Sequence, residues 1–376
     1  MTGKERMAAA MSAHRSGVKP DRTPVMCQFS AGYMYKNAGI PPTEFWLSTG
    51  GFVSALVKLC DEYEFDGILI STAGRSEPPL ETNKAEYDGG VEITYNDGRK
   101  YFYPPDEYPR PLHYDYTQKG VSRTVDEISA DDIRNITNIT IPKYYPDMLR
   151  MVIDERGDTH SIHGEVGTAF EQLLRFFGTF EDGFTAIMDD EPKCHKILER
   201  LNQNVIMQAE WQCEFPIDAM KLSSPFAGSG FISRSMYERL VLPYERAVVN
   251  FVHKKAGVPC YIHTCGSIGD RIDLILETGV DGIECLDPPP LGDVKFEEAV
   301  ELLKNRAFIK GNLDSVNELT LPANEIIAIA KRRIEMAQPL NGAYILSSAC
   351  SVSPVTPPAS LYALKQASIE AKTELR

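Results

Sequence analysis

Apolar residues in this chain fall into two alternating patterns. Short runs rich in β-branched and other apolar side chains occur at TPVMCQF (23–29), DGILIS (66–71), HSIHGE (160–165) and DAMKLS (218–223). They continue at VPCYIH (258–263), VDGIECL (280–286), AFIKGN (307–312) and AYILSS (343–348). Between them lie longer stretches with helical patterning, at 43–63, 180–214, 234–256, 267–278, 294–304 and 323–336. Strand-length runs alternating with helix-length ones signal βα repetition and a parallel sheet. Eight such runs predict an α/β fold, a (β/α)8 TIM barrel. Residues 1–376 are expected to form that one domain, because barrels of this length routinely fold as a single unit.

One stretch departs from the rhythm. Within 72–150, VEITY (91–95) is followed by Asn96-Asp97-Gly98 and then RKYFY (99–103), and Asn, Asp and Gly between two β-rich runs are a hairpin signal. The Pro- and Tyr-rich residues that follow extend this into an insertion after strand 2, a hairpin and loop excursion placed to cap the barrel mouth. At the other end of the scale, TGKE at 2–5 reads as a capping box, with Thr2 as N-cap and Glu5 three residues on.

Composition narrows the function classes. Hydrophobic residues make up 43% and charged residues 24% of 376, a balance that supports a large core. Lys and Arg number 39 against 53 Asp and Glu, a formal charge of −14, and no basic stripe is visible, so nucleic acid is not an expected partner. No run of about 18 uninterrupted apolar residues occurs, which argues against a transmembrane helix. The apolar MAAAM at 7–11 is short and surrounded by Lys4, Arg6, His14 and Arg15, unlike a secretion signal. A cytoplasmic protein with no membrane partner is expected. The eight cysteines (27, 60, 194, 213, 260, 265, 285 and 350) form no dense framework and are expected to be reduced thiols.

In a barrel, the C-terminal ends of the strands surround one mouth, so distant positions converge there. Read in order, those ends carry Gln28, Ser71, His163 with Glu165, Lys221 with Ser223, His263 with Cys265, Glu284 with Asp287, Asn312 and Cys350. The set is polar for strand ends. His263 and Cys265 are two apart, so in extended backbone they face the same way and can hold one ion, with Cys350 following the last strand. Three N and S ligands with an open fourth position make a catalytic zinc site, and thiolates select zinc over oxygen-loving cations. The rival reading is a chance spacing, with Cys350 a small buried hydrophobe.

Other residues carry weaker arguments. Glu165, which alternates onto one face with His163, could be a general base or a fourth ligand, or the two could form a hydrogen-bonded core pair. Asp287 and Glu284 could orient substrate or be rim carboxylates. Lys221 could bind an anion or pair with an acid. Asn312 lies in GNLD, where Gly311 matters for backbone shape. Gln28, Tyr33 and Tyr35 lie where a first loop could line substrate, and the two tyrosines could equally be packing residues.

The stretches IHTCGSIGDRIDLILETGVDGIECLD (262–287), IKGNLD (309–314) and SSPFAGSGFISRSMYERLVLPYERAVV (223–249) resemble the uroporphyrinogen decarboxylase superfamily. KPDRTPV (19–25) and AYILSSACSVSPVTPPASLYAL (343–364) fit the same resemblance, with 72–150 its weakest part. Decarboxylases of that superfamily carry an Arg-rich loop of the pattern RQAGRY that holds substrate carboxylates. This chain has Gln28-Phe29-Ser30-Ala31-Gly32-Tyr33 there, without either arginine. The zinc-dependent branch, methylcobamide:coenzyme M methyltransferases and related corrinoid-linked enzymes, is a better likeness. Its HxC and late Cys ligands map onto His263, Cys265 and Cys350. The resemblance implies a zinc-dependent methyltransferase moving a methyl group between a small molecule, a thiol acceptor or a methoxy- or methylamine-type donor, and a corrinoid protein. The alternatives are a metal-free decarboxylase and a non-catalytic barrel that binds a ligand or a corrinoid protein. The cobalamin-binding pattern D-x-H-x-x-G is broken, since Asp158-Thr159-His160-Ser161-Ile162 is followed by His163, so methylcobamide is expected to arrive on a partner protein.

Overall fold

Seven of the eight predicted runs pair into one parallel sheet. The computed structural model describes residues 1–71, 81–87, 89–105, 108–112, 122–137, 141–142 and 144–374. In chain order its strands are β1 (Gly67–Leu69), β2 (Glu81–Tyr87), β3 (Gly90–Tyr95), β4 (Lys100–Tyr103), β5 (Arg110–Pro111), β6 (Ser161–Val166) and β7 (Ala219–Ser223). Then come β8 (Cys260–Thr264), β9 (Gly282–Cys285), β10 (Phe308–Leu313) and β11 (Tyr344–Ser348). The large sheet runs β1-β6-β7-β8-β9-β10-β11, every pair parallel, as in a sheet curling into a half-barrel. Parallel neighbours need crossover connections, and helices such as Glu191–Gln212, Leu242–Ala256 and Ala323–Met336 provide them. With helices outside and side chains filling the inside, β8 to β11 are buried along their whole length.

The eighth run, 23–29, is not a regular strand, but it reaches both edges of that sheet. Met26 N–H donates to the Leu346 carbonyl at 3.1 Å and Leu346 N–H to that of Pro24 at 2.9 Å, while Asp66 N–H donates to the Val25 carbonyl at 2.8 Å. It pairs only as isolated bridges at Val25 and Phe29. Pro24 has no N–H to give, and Ser30 leaves the ladder to cap the helix Ala31–Asn37.

Three predicted helices are each broken in two. Ser48 caps a new start inside 43–63, its side chain accepting from Gly51 N–H. Asp190 does the same inside 180–214, with Pro192 in the first turn, and Pro243 restarts the chain at Leu242 inside 234–256. The capping box at Thr2 and Glu5 is present, opening the helix Gly3–Ser16.

The chain between β1 and β6 holds a second sheet, β2-β3-β4-β5, antiparallel throughout. The expected hairpin is there as β3 and β4 with Gly98 at φ +82° in the turn, and Ile93, Tyr95 and Tyr103 form a small core of their own. The remaining parts of the 72–150 excursion, at 72–80, 88, 106–107, 113–121, 138–140 and 143, lie outside the described residues.

The N-terminal ends of the strands are tied together by acids. Asp66, Asp218 and Asp281 immediately precede β1, β7 and β9. Each accepts a backbone N–H from a neighbouring segment: Val25 at 2.8 Å, Ile162 at 2.9 Å and Cys260 at 2.7 Å. Each also pairs with a cation of the helix Gly3–Ser16, namely Arg6, Lys4 and Arg15. This helix therefore closes the floor, leaving the C-terminal ends for chemistry.

Candidate metal centre

Alternation along β8 sends Tyr261 and His263 inward, and Cys265 follows just past its end. His263 Nε2 lies 3.2 Å from Cys265 Sγ. Cys350, two residues past β11, comes to 3.8 Å from Cys265 Sγ and 3.9 Å from His263 Nε2. Ligands about 2.3 Å (sulfur) and about 2.0–2.1 Å (nitrogen) from a tetrahedral zinc stand roughly 3.4–3.8 Å apart, so the donor set fits that ion in both chemistry and spacing. Two local devices hold the thiols. Cys350 N–H donates to Ser315 Oγ, which donates back to the Cys350 carbonyl, both at 3.2 Å. Gly266 N–H donates to Asp287 Oδ2 at 2.7 Å, fixing the turn after Cys265.

Beneath the thiols lies a buried chain of charge. Glu284 of β9 sits across from His263, with Oε2 at 3.0 Å from Nδ1. A carboxylate on Nδ1 fixes the ring and leaves Nε2 to face Cys265 and Cys350. Glu284 also pairs with Lys310 of β10 and, at 3.5 Å, with Lys221 of β7, which in turn pairs with Glu165 of β6 at 2.9 Å. Burial pushes the Glu284 carboxyl up, but the Lys310 and Lys221 charges and the His263 hydrogen bond overcome it and hold it well below the usual carboxylate range. Burial and Lys221 likewise oppose a charged His263, yet its bonds to Cys265, Cys350 and Glu284 raise it well above the ordinary imidazole value. The Cys350 thiol is pushed up to about 12, chiefly by its hydrogen bond with Cys265 and by burial. Proton and metal therefore compete for the same atoms, which makes affinity depend on pH.

The other predicted site residues divide. Lys221 joins the buried chain and donates to Gln28 Oε1, so Gln28, Lys221 and Glu165 lie together beside the donors. His163 lies deeper, held by Tyr261 Oη and Ser161 Oγ at 3.0 Å each. Burial, with the Lys310 charge, lowers it to about 3, so it is a neutral core histidine at pH 7. Asp287 shapes the Cys265 turn. Asn312 faces away from the donors, its amide on the Leu286 carbonyl at 2.8 Å and its Oδ1 on Arg333 at 3.0 Å. Tyr33 is fully buried, stacked on Phe29 at 5.5 Å with its hydroxyl 2.8 Å from that of Tyr63. Both Asn312 and Tyr33 are thus enclosed by protein partners rather than turned to a substrate space.

Sequence reasoning passed over Lys310 and Cys285. A lysine inside the apolar run FIKGNL was the available signal, since a charge in a fully buried strand must have a buried partner. Cys285 gave no spacing signal, yet its Sγ lies with His263 and Cys265 in a group whose donor atoms are within 4.8 Å of one another. Next to the centre, a cavity of about 310 Å³ is lined by Gln28, Phe29, Trp46, Ser71, Tyr108 and Ser351 among others.

A parallel α/β sheet with an imidazole and thiols gathered at its C-terminal ends defines a candidate metal centre on an α/β fold. More narrowly, the chain belongs to the uroporphyrinogen decarboxylase (URO-D) family, whose sequence profile matches residues 112–370. It is homologous to the methylcobamide:CoM methyltransferase MtbA of Methanosarcina acetivorans, 29% identical over 156 residues, 42% of this chain and 43% of that protein. A uroporphyrinogen decarboxylase of Trichodesmium erythraeum is 30% identical over 121 residues, 32% of either chain. These matches span less than half the length of the curated relatives. A methyltransferase from Methanosarcina mazei has the same fold over 100% of this chain and 99% of its own, with a TM-score of 0.71 at 14% identity.

Proposed function

We propose that this protein is a zinc-dependent methyltransferase of the URO-D family that moves a methyl group between a small molecule and a corrinoid protein. The observation that carries the reading is the meeting of His263, Cys265 and Cys350, from the two distant strand ends β8 and β11, at donor-to-donor distances of 3.2–3.9 Å. The homology to methylcobamide:CoM methyltransferases favours the same chemistry. We read the fold as a closed (β/α)8 barrel, with 24–29 as the eighth stave and 72–150 as an insertion in a single domain.

Zinc held by these three residues would supply the Lewis acidity that keeps a substrate thiol, or a leaving heteroatom, in its anionic form. Glu284 orients His263 so that Nε2 faces the thiols. Lys310 and Lys221 hold that carboxylate ionised. Glu165, at the open end of the charge chain, stands ready to take or return the proton of a thiol or leaving group, and Gln28 links that end to the cavity. The decarboxylase reading is weaker, because the loop at 28–33 offers no arginine to substrate carboxylates.

Exposed residues at the rim support a protein partner. Phe231, Leu291, Val316 and Val355 are exposed large apolar residues, and they lie in the loops that follow β7, β9, β10 and β11. Exposed apolar side chains in four loops that follow strand ends support docking of a protein that brings methylcobamide to the donors. Purified protein should contain one zinc per chain and no cobalamin absorbance, and should turn over methyl groups with a methylated corrinoid protein. Metal-free protein with undiminished turnover would falsify the reading.

A further inference from the structure

The backbone at the end of β9 does something a strand does not. Glu284 points inward to His263, and strict alternation would send Cys285 to the opposite face. Instead Cys285 has φ +85° and Leu286 φ +54°, a left-handed conformation that side chains other than glycine rarely adopt. The chain leaves the strand there, and Cys285 Sγ comes into the group with His263 and Cys265 inside 4.8 Å. Room for the turn comes from β10. A Cβ on Gly311 would stand 2.8 Å from the Cys285 carbonyl oxygen, and Gly311 itself has φ +151°. Asn312 then donates to the carbonyl of Leu286 at 2.8 Å, holding the turned segment in place.

The turn is kept by a close-packed glycine and a buried amide. The product of the strain is the direction of one thiol. We propose that Cys285 is a fourth protein donor to the metal centre: it gathers with His263 and Cys265, as Cys350 does from the other strand end, and a bound ion would draw the imidazole and the three thiols together. Four protein donors close a tetrahedral ion, whereas three leave it open. A substrate heteroatom would then need one of the four positions. The inference rests on reading the centre as a metal site.

The sulfur count is measurable without turnover. X-ray absorption on the zinc-loaded, substrate-free full chain should find three sulfurs and one nitrogen. With cobalt(II) in place of zinc, the thiolate-to-metal charge-transfer band should lose about a third of its intensity in Cys285→Ser, as three thiolates become two. Cys213→Ser, at the C-terminus of the outer helix Glu191–Gln212, should leave the band unchanged. Two sulfurs in the wild-type spectrum, or an undiminished band in Cys285→Ser, overturn this proposal and leave the three-ligand reading standing. A chain that takes up neither metal overturns both.

Discussion

The floor and the mouth of the sheet are both built from buried charge, and they use it differently. At the floor, Asp66 accepts from Arg6, from both Arg22 terminal nitrogens and from Val25 N–H, at 2.6–2.8 Å, so its acceptor capacity is spent inside the protein. At the mouth, Glu284 is equally buried and equally paired, but one of its partners is His263, whose other nitrogen faces Cys265 and Cys350. The floor is a closed account of hydrogen bonds, while the mouth passes its order outward to atoms that still have chemistry to do. Burial and ion pairing alone therefore do not mark a site. What marks it is a network whose last member is a soft donor with no structural duty.

The sharpest way to break the comparison is Cys350→Ala. Methyl transfer should be abolished and zinc content should fall steeply, because the ion loses a thiolate. The thermal midpoint should move little, since a thiol at the rim contributes about 1 kcal/mol. Zinc content, midpoint and turnover on one preparation decide it, and wild-type turnover without metal would place the site elsewhere.

Next come the two buried acids. Asp66→Asn and Glu284→Gln should each cost about 3–5 kcal/mol in chemical denaturation, because each leaves paired cations buried without their carboxylate. They separate on zinc. Glu284→Gln should also weaken zinc binding by about 10–100-fold through loss of the His263 partner. Asp66→Asn should bind zinc like the wild type. Equal zinc affinity in both would mean that Glu284 is only another structural acid.

A smaller effect comes from His163. Its folded pKa of about 3 lies below the ordinary 6.5, so the unfolded chain takes up the proton first as pH falls. The stability that depends on neutral His163 is complete above 6.5 and is lost progressively between 6.5 and 3. Between pH 6.5 and 5 the wild type should lose about 2 kcal/mol that His163→Gln does not lose, at about 1.4 kcal/mol per unit. Parallel pH profiles for the two proteins would return His163 to the list of candidate acid–base groups. Smallest of all, Thr2→Ala removes the cap of the helix that carries Lys4, Arg6 and Arg15 into the floor. The loss should be about 1 kcal/mol with no change in zinc content, and a larger loss would show that the floor pairs depend on that helix start.

Much of this molecule is legible in its pattern of apolar and polar residues. Strand positions followed from apolar runs that are buried on both faces, and all seven paired strands fall within two residues of the expected bounds. The helix breaks at Ser48, Asp190 and Val241 were missed because cap residues and prolines inside an otherwise apolar period are weaker signals than the period itself. His263 and Cys265 could be paired from spacing, since two residues in a strand share a face whatever the fold. Cys350 could be added only because strand ends in a barrel converge.

Local periodicity and residue chemistry are enough to set the alternation of elements, the polar strand ends and the HxC pair. Tertiary structure alone decided which groups face one another. It put Lys310 on Glu284 and turned Cys285 toward the donors. It also withdrew Tyr33 into aromatic packing and Asn312 onto Arg333. Those outcomes depend on strand order, on register and on a positive φ at one strand end. None of these is encoded in the spacing of the residues they bring together.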